Sequence, residues 1–174
     1  MIATIDTNVL VSGTLFRGVP GNVIDAAIDR RFTLALSREI LTEFRTVLLR
    51  AKFGLSAEAV DVYVRDLESH AVVLNPTRRH HIVTADPDDN MVVDCAVEAA
   101  ADIIVSGDAH LIDLRIVEGI QVVTPADFLE SRYRVCPWEN VRVRVRLPMP
   151  VDPSTFSESD NISRRIDRTS SSIE

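Results

Sequence analysis

The stretch DPDDNMVVDCAVEAAADIIVSGD, residues 86–108, sets carboxylates at the start of an Ala-rich run and one more, Asp108, after an apolar run, with no basic residue between them. Asp6 closes the apolar opening MIATI in the same way, and Glu43 follows a second apolar run in REILTEFRTVL. Four like charges brought together would repel, so the economical account of such a convergence is a hard divalent cation, Mg²⁺ or Mn²⁺, held through oxygen ligands. That chemistry lowers the pKa of a bound water and stabilises charge on the attacking and leaving oxygens of a phosphodiester, with no need for lysine or histidine. Singly, each acid has a plainer role: Asp6 as a turn former, Glu43 as a solvated helix acid, Asp89 as an N-cap, Asp108 as the start of a turn. Only their joint placement carries the argument.

The elements that must position them follow from periodicity. Residues Met1 to Ile5 predict a strand covered on both faces, DTNVLVSGTLF a loop running through Gly13 and Gly18 to Pro20, and GNVIDAAIDR a helix. RFTLALS predicts a second strand, after which Ser37 is placed to cap the helix REILTEFRTVLLR. On that helix Ile40, Leu41, Phe44, Val47 and Leu48 make one apolar stripe. Glu43 lies on one shoulder, about 100° from its centre, and Arg45 at the same angle on the other, so the wheel permits an inward Glu43 without selecting it. SAEAVDVYVRDLES predicts a further helix, HAVVL a third strand, and NPTRRHHIVTADP a loop.

The next helix buries Val92, Val93, Ala96, Ala99 and Ala100; Asp89 lies about 20° from the centre of that stripe, and Asp94 and Glu98 about 160° away, toward solvent. Asp89 therefore points along the core side of a helix start, where the dipole favours an anion. DIIVSGD and GIQVV predict the last two strands, and Thr124, Pro125 and Asp127 supply an N-cap, an N1 proline and an N3 acid for a short final helix. Strands alternating with helices imply an α/β fold with a mostly parallel sheet covered on both faces, whose site lies at the carboxyl ends of the strands.

Composition is compatible with this. A chain of 174 residues, 46% hydrophobic, is long enough for one ordinary domain burying about two thirds of its unfolded surface. No run approaches the roughly 18 apolar residues of a membrane span, and MIATIDTNVL lacks the basic segment of a secretory leader, so the expected compartment is the cytoplasm. Cys95 and Cys136 have no metal-ligand spacing and no disulfide is expected. Residues 1–131 hold 11 Arg or Lys against 20 Asp or Glu, and residues 132–174 hold 8 against 6, which sums to the overall net charge of −7. An acidic body argues against holding nucleic acid by charge alone; it leaves a nuclease open, because bound divalent ions invert the local field.

The combination of DTNVL, SREILTEFRTVL, DPDDNMVVDCAVEAAADIIVSGD and VVTPADFL, in this order and spacing, resembles the PIN domain family in its VapC-like, PilT amino-terminus toxin branch, over residues 1 to about 130. The resemblance implies a three-layer α/β/α sandwich with a central parallel sheet. It implies a Mg²⁺- or Mn²⁺-dependent endoribonuclease, commonly the toxin of a toxin–antitoxin pair, with an RNA substrate, a cognate antitoxin partner and a homodimer. By position, the family's acids match Asp6, Glu43, Asp89 and Asp108, with Asn8 and Ser106 in supporting polar roles; Asp94 often corresponds to an acidic position in this branch, which implies a secondary metal or water role. Asp86 and Asp88 compete for the metal-facing role of the turn, but both read better as turn and capping residues.

The rest is less specific. His80 and His81 beside Arg78 and Arg79 read as a solvated loop, and His110 lies near the expected site mouth. The domain is expected to end near residue 131. The remainder, 132–174, reads as an extension, partly disordered, in which VRVRVR has the alternation of an edge strand and Tyr133 and Trp138 are available to stack on bases. Two other functions compete: a PIN-like domain that binds RNA or protein without cutting, and a phosphoaspartyl phosphatase or receiver. The latter needs a lysine by the phosphoryl group, and the one lysine, Lys52, sits at the end of a helix, while Asn8 stands where that motif has its second Asp.

Overall fold

Strand β1 (Ile2–Ile5) has Ala3, Thr4 and Ile5 all buried, as a strand covered on both faces requires. It lies at the centre of a six-stranded sheet of order β3-β2-β1-β4-β6-β5, where β2 is Thr33–Ser37, β3 Ala71–Leu74, β4 Ile103–Val105, β5 Ile116–Val117 and β6 Ile120–Val123. All neighbours are parallel except β5 with β6. With helices on both faces this is the expected three-layer α/β/α sandwich. The computed structural model describes residues 1–77, 80, 82 and 89–130; Arg78, Arg79, His81, Asp86, Asp88 and the whole of 131–174, with Tyr133, Trp138 and VRVRVR, lie outside the described residues.

Helices α3 (Arg38–Leu48) and α7 (Pro125–Glu130) begin as their sequences predict. Ser37 Oγ accepts the Ile40 N–H at 3.1 Å, and Thr124 Oγ1 accepts the Asp127 N–H at 3.1 Å while donating to Asp127 Oδ2 at 2.7 Å. Helix α4 (Ala57–His70) packs on α3, and the shoulder residue Arg45 bonds Asp61 on it at 2.7 Å. That ion pair assigns one shoulder of α3 to α4, and Glu43 occupies the other.

Four expectations need correction. DTNVLVSGTLF is not a loop: Thr7–Phe16 form helix α1, followed after Arg17 by helix α2 (Gly18–Ile28). Gly13 reads as a helix breaker in isolation, but it is where α1 and α2 touch; a Cβ there would stand 2.6 Å from Ile24 Cδ1 and 2.7 Å from the Pro20 carbonyl oxygen. Second, RIVEGIQVV holds two strands, joined by Glu118 and Gly119 at φ 50 and 82, the positive pair of a type I′ hairpin. Third, helix α5 (Asn90–Glu98) stops before Ala100, which is exposed in the left-handed region at φ 47. The fourth concerns Asp94 and is taken up with the site.

Strand β3 is an edge with Val72 exposed, and the core runs beneath the inner strands, closed at one end by Phe32 against Phe128 at 5.1 Å between ring centroids. Replacing Gly13 with alanine tests the α1–α2 approach by sign. Helix propensity alone would stabilise by about 1 kcal/mol, whereas the overpacking shown here is expected to cost about 1–3 kcal/mol, read as a lower midpoint in urea melts.

Candidate active site

Parallel sheets place ligands where the strand order reverses, outside the carboxyl ends of the strands. Here that point lies between β1 and β4, and the residues that follow these strands are Asp6 and the run Ser106, Gly107, Asp108. The Asp6 N–H donates to the Val105 carbonyl at 2.9 Å, and the Ser106 N–H to the Val123 carbonyl at 3.0 Å, so the sheet's own hydrogen bonding continues to the site.

Asp6 is 2% exposed and is the N-cap of α1, its Oδ1 accepting the Asn8 main-chain N–H at 3.3 Å. Its Oδ2 accepts the Ser106 hydroxyl at 2.6 Å, and the same oxygen of the buried Ser106 accepts the Asp108 N–H at 2.9 Å. The serine thus joins the ends of the two strands. Asp108 caps α6 (Ala109–Leu114), with Oδ1 accepting the His110 N–H at 2.7 Å. His110 enters this contact through its main chain, and its side chain is exposed.

Burial pushes the Asp6 carboxyl up to about 6 against the pull of the Ser106 and Asn8 hydrogen bonds, with smaller upward contributions from the charges of Glu43 and Asp108. Those two perturbations show that Glu43, half-buried on the inward shoulder of α3, and Asp108 both bear on Asp6. Asp89 is at the N-cap position of α5, in αR conformation at φ −64 and ψ −21, and its side chain makes no capping bond to the helix, although one of its oxygens is buried. Asn8 reaches Asp6 with a main-chain group that most residue types could supply. Among the described residues, no three His, Cys, Asp or Glu side chains stand together as a ready metal cage.

Asp94, expected to face solvent, is 3% exposed. Its Oδ1 accepts both the His80 N–H at 2.8 Å and His80 Nδ1 at 2.7 Å, so His80 is a held residue and not part of a solvated loop. The wheel failed because it knows only the helix and the sheet beneath it; part of the outer face of α5 is covered by His80 and Ile82. Asn90, not singled out by sequence, is buried and accepts the Ile82 N–H at 2.9 Å through Oδ1. The signal available was its place four residues before Asp94, on the same helix face. Cys95, on the inner face beside the Thr4 and Ser37 hydroxyls, has its thiol pushed up to about 12 by burial and is inert.

Comparisons with known proteins agree with this fold. The chain is similar in structure to VapBC2 from Rickettsia felis bound to a DNA fragment from their promoter, with a TM-score of 0.54 and 13% identity over 71% of this chain and 98% of that one. At that identity the likeness shows the fold alone. No curated protein matches the sequence. The family model described as PIN domain matches residues 3–110, well over half of the chain and every acid from Asp6 to Asp108. By that match the chain belongs to the PIN domain family.

Proposed function

We propose that this protein is a divalent-metal-dependent endoribonuclease, the toxin of a type II toxin–antitoxin pair. The observation that carries the nuclease reading is the buried Asp6, with its proton affinity raised by burial and by Glu43 and Asp108, at the switch point of the sheet. A carboxylate so destabilised in its charged form is relieved by a cation, and the donors around it are hard oxygens suited to Mg²⁺ or Mn²⁺. Asp6, Glu43, Asp89 and Asp108 would hold the ion, with Ser106 and Asn8 in support. When bound, the ion supplies the Lewis acidity that phosphodiester hydrolysis requires.

The chain's own residues do the rest. Ser106 fixes the Asp6 carboxylate and, through the Asp108 N–H, the turn that carries Asp108. The α1 N-terminus partly offsets the Asp6 charge. RNA is the proposed substrate; the acidic body gives it no basic track, so its phosphates would be drawn to the cation-filled site. A cognate antitoxin, a homodimer and a cytoplasmic setting complete the reading. The VapBC2 complex supports the antitoxin by analogy of fold. Among the described residues no helix is long and apolar enough to cross a membrane. We further propose that the nuclease domain ends near residue 131 and that 132–174 is a separate extension.

Asp6→Asn and Asp108→Asn are each expected to abolish divalent-dependent cleavage of a mixed RNA pool while the circular dichroism spectrum persists. Full activity in either variant rejects the reading. Toxicity on expression, relieved by a small protein encoded beside it, tests the toxin role.

A pH dependence follows with a fixed sign. Folded Asp6 holds its proton up to about 6 where the ordinary value is 3.8, so in EDTA its contribution to stability falls as the pH rises through that window. The full penalty, at most about 3 kcal/mol, is present above it. Asp6→Asn should therefore gain stability over the parent at pH 7.5 but not at pH 3.5, measured by urea melts in EDTA. Ser106→Ala removes the hydroxyl between the two strand ends and is expected to cost about 1–3 kcal/mol and most of the cleavage activity, read by melts and by the RNA assay.

A further inference from the structure

Asn90, Asp94 and Glu98 recur at intervals of four on α5 and so share one face. Each accepts a main-chain N–H from the segment that precedes the helix: Asn90 Oδ1 from Ile82 at 2.9 Å, Asp94 Oδ1 from His80 at 2.8 Å and Glu98 Oε2 from Thr77 at 3.3 Å. The order is antiparallel, with the donor number falling as the acceptor number rises. Successive acceptors are four residues apart, about 6 Å along the helix, and meet donors three and two residues apart in the preceding segment. The His80 side chain doubles the central rung, Nδ1 lying 2.7 Å from the same Asp94 oxygen. Asn90 and Asp94 are buried, and leaving the N–H groups they accept without a partner would be costly.

We propose that Asp94 is a positioning residue and not a metal ligand. It is the central rung of a side-chain ladder that clamps Thr77, His80 and Ile82 along α5 and thereby supports the helix whose start carries Asp89. Its acceptor oxygen is committed to two donors of His80, a role that needs an oxygen but not a charge. The catalytic consequence rests on the metal-nuclease reading above; the ladder does not.

Three variants separate the roles: Asp94→Asn keeps an acceptor oxygen and loses the charge, Asp94→Ala loses both, and Asp89→Asn removes a proposed ligand without touching the ladder. The readouts are amide hydrogen exchange at His80 and Ile82, calorimetric binding of Mn²⁺ alone, and kcat/KM on an RNA pool. Asp94→Asn is expected to keep the amides protected and Mn²⁺ affinity within about threefold of the parent. Asp94→Ala should speed exchange and weaken Mn²⁺ at least about tenfold, as loss of an outer-shell support does. Asp89→Asn should weaken Mn²⁺ with exchange unchanged.

Asp94→Asn losing Mn²⁺ as fully as Asp89→Asn, with the His80 amide still protected, would overturn the proposal and make Asp94 a ligand. Should Asp94→Ala fail to fold, Asn90→Ala removes the Ile82 rung and must speed exchange there. If the parent neither binds Mn²⁺ nor cuts RNA, the nuclease reading fails. The exchange data still decide the clamp, which is lost if His80 and Ile82 are as open in the parent as in the alanine variants.

Discussion

The Asp6 carboxylate is buried where the strand order turns back on itself, and much of the surrounding structure serves to keep it there. Its charged form is destabilised by burial and by two neighbouring acids, and that destabilisation is only partly offset by the Ser106 hydroxyl and the α1 N-terminus. A fold tolerates a cost of this kind only when the rest of its core over-determines the position. Asp6 is over-determined: it follows the buried run Ala3, Thr4 and Ile5, its N–H continues the β1–β4 ladder, and its carbonyl starts α1 by accepting the Val9 and Leu10 N–H groups. The same residue thus ends a strand, begins a helix and carries the charge at the centre of the proposed site.

Ser106 and Asp108 make the matching arrangement on β4. Because the serine hydroxyl donates to Asp6 and accepts from the Asp108 N–H, displacement of one strand end is passed to the other through a single oxygen. Glu43 reaches the same region from α3, whose orientation is held from the opposite shoulder by Arg45 on Asp61. Glu43 and Asp108 thus both raise the Asp6 carboxyl, Asp108 tied to it through Ser106 and Glu43 standing on a separate helix.

Helix α5 shows how one element serves two surfaces. Its inner face, Val92, Val93, Cys95 and Ala96, packs on β1, β2 and β4. Its outer face is polar but not all of it is solvated, because the preceding chain lies along it and takes its hydrogen bonds from Asn90, Asp94 and Glu98. The close approach of α1 and α2 at Gly13 is a comparable case, in which a residue that weakens an isolated helix is required by its neighbour.

Much of this was legible from residues alone. Apolar runs of β-branched residues marked the five longer strands; Ser37 and Thr124 marked helix starts; and the order of Asp6, Glu43, Asp89 and Asp108 pointed to one family. These are local or periodic signals, set by backbone geometry and by which side chains avoid water, and they survive without knowledge of neighbours. What the tertiary structure alone decided were the properties that depend on what covers a face. Gly13 is a contact and not a break because α2 lies against it. Glu43, not Arg45, bears on Asp6, while Asp61 holds the arginine. Asp94 is buried because the chain before α5 folds back over it, and a helical wheel, which sees one helix and one core, has no term for that second surface.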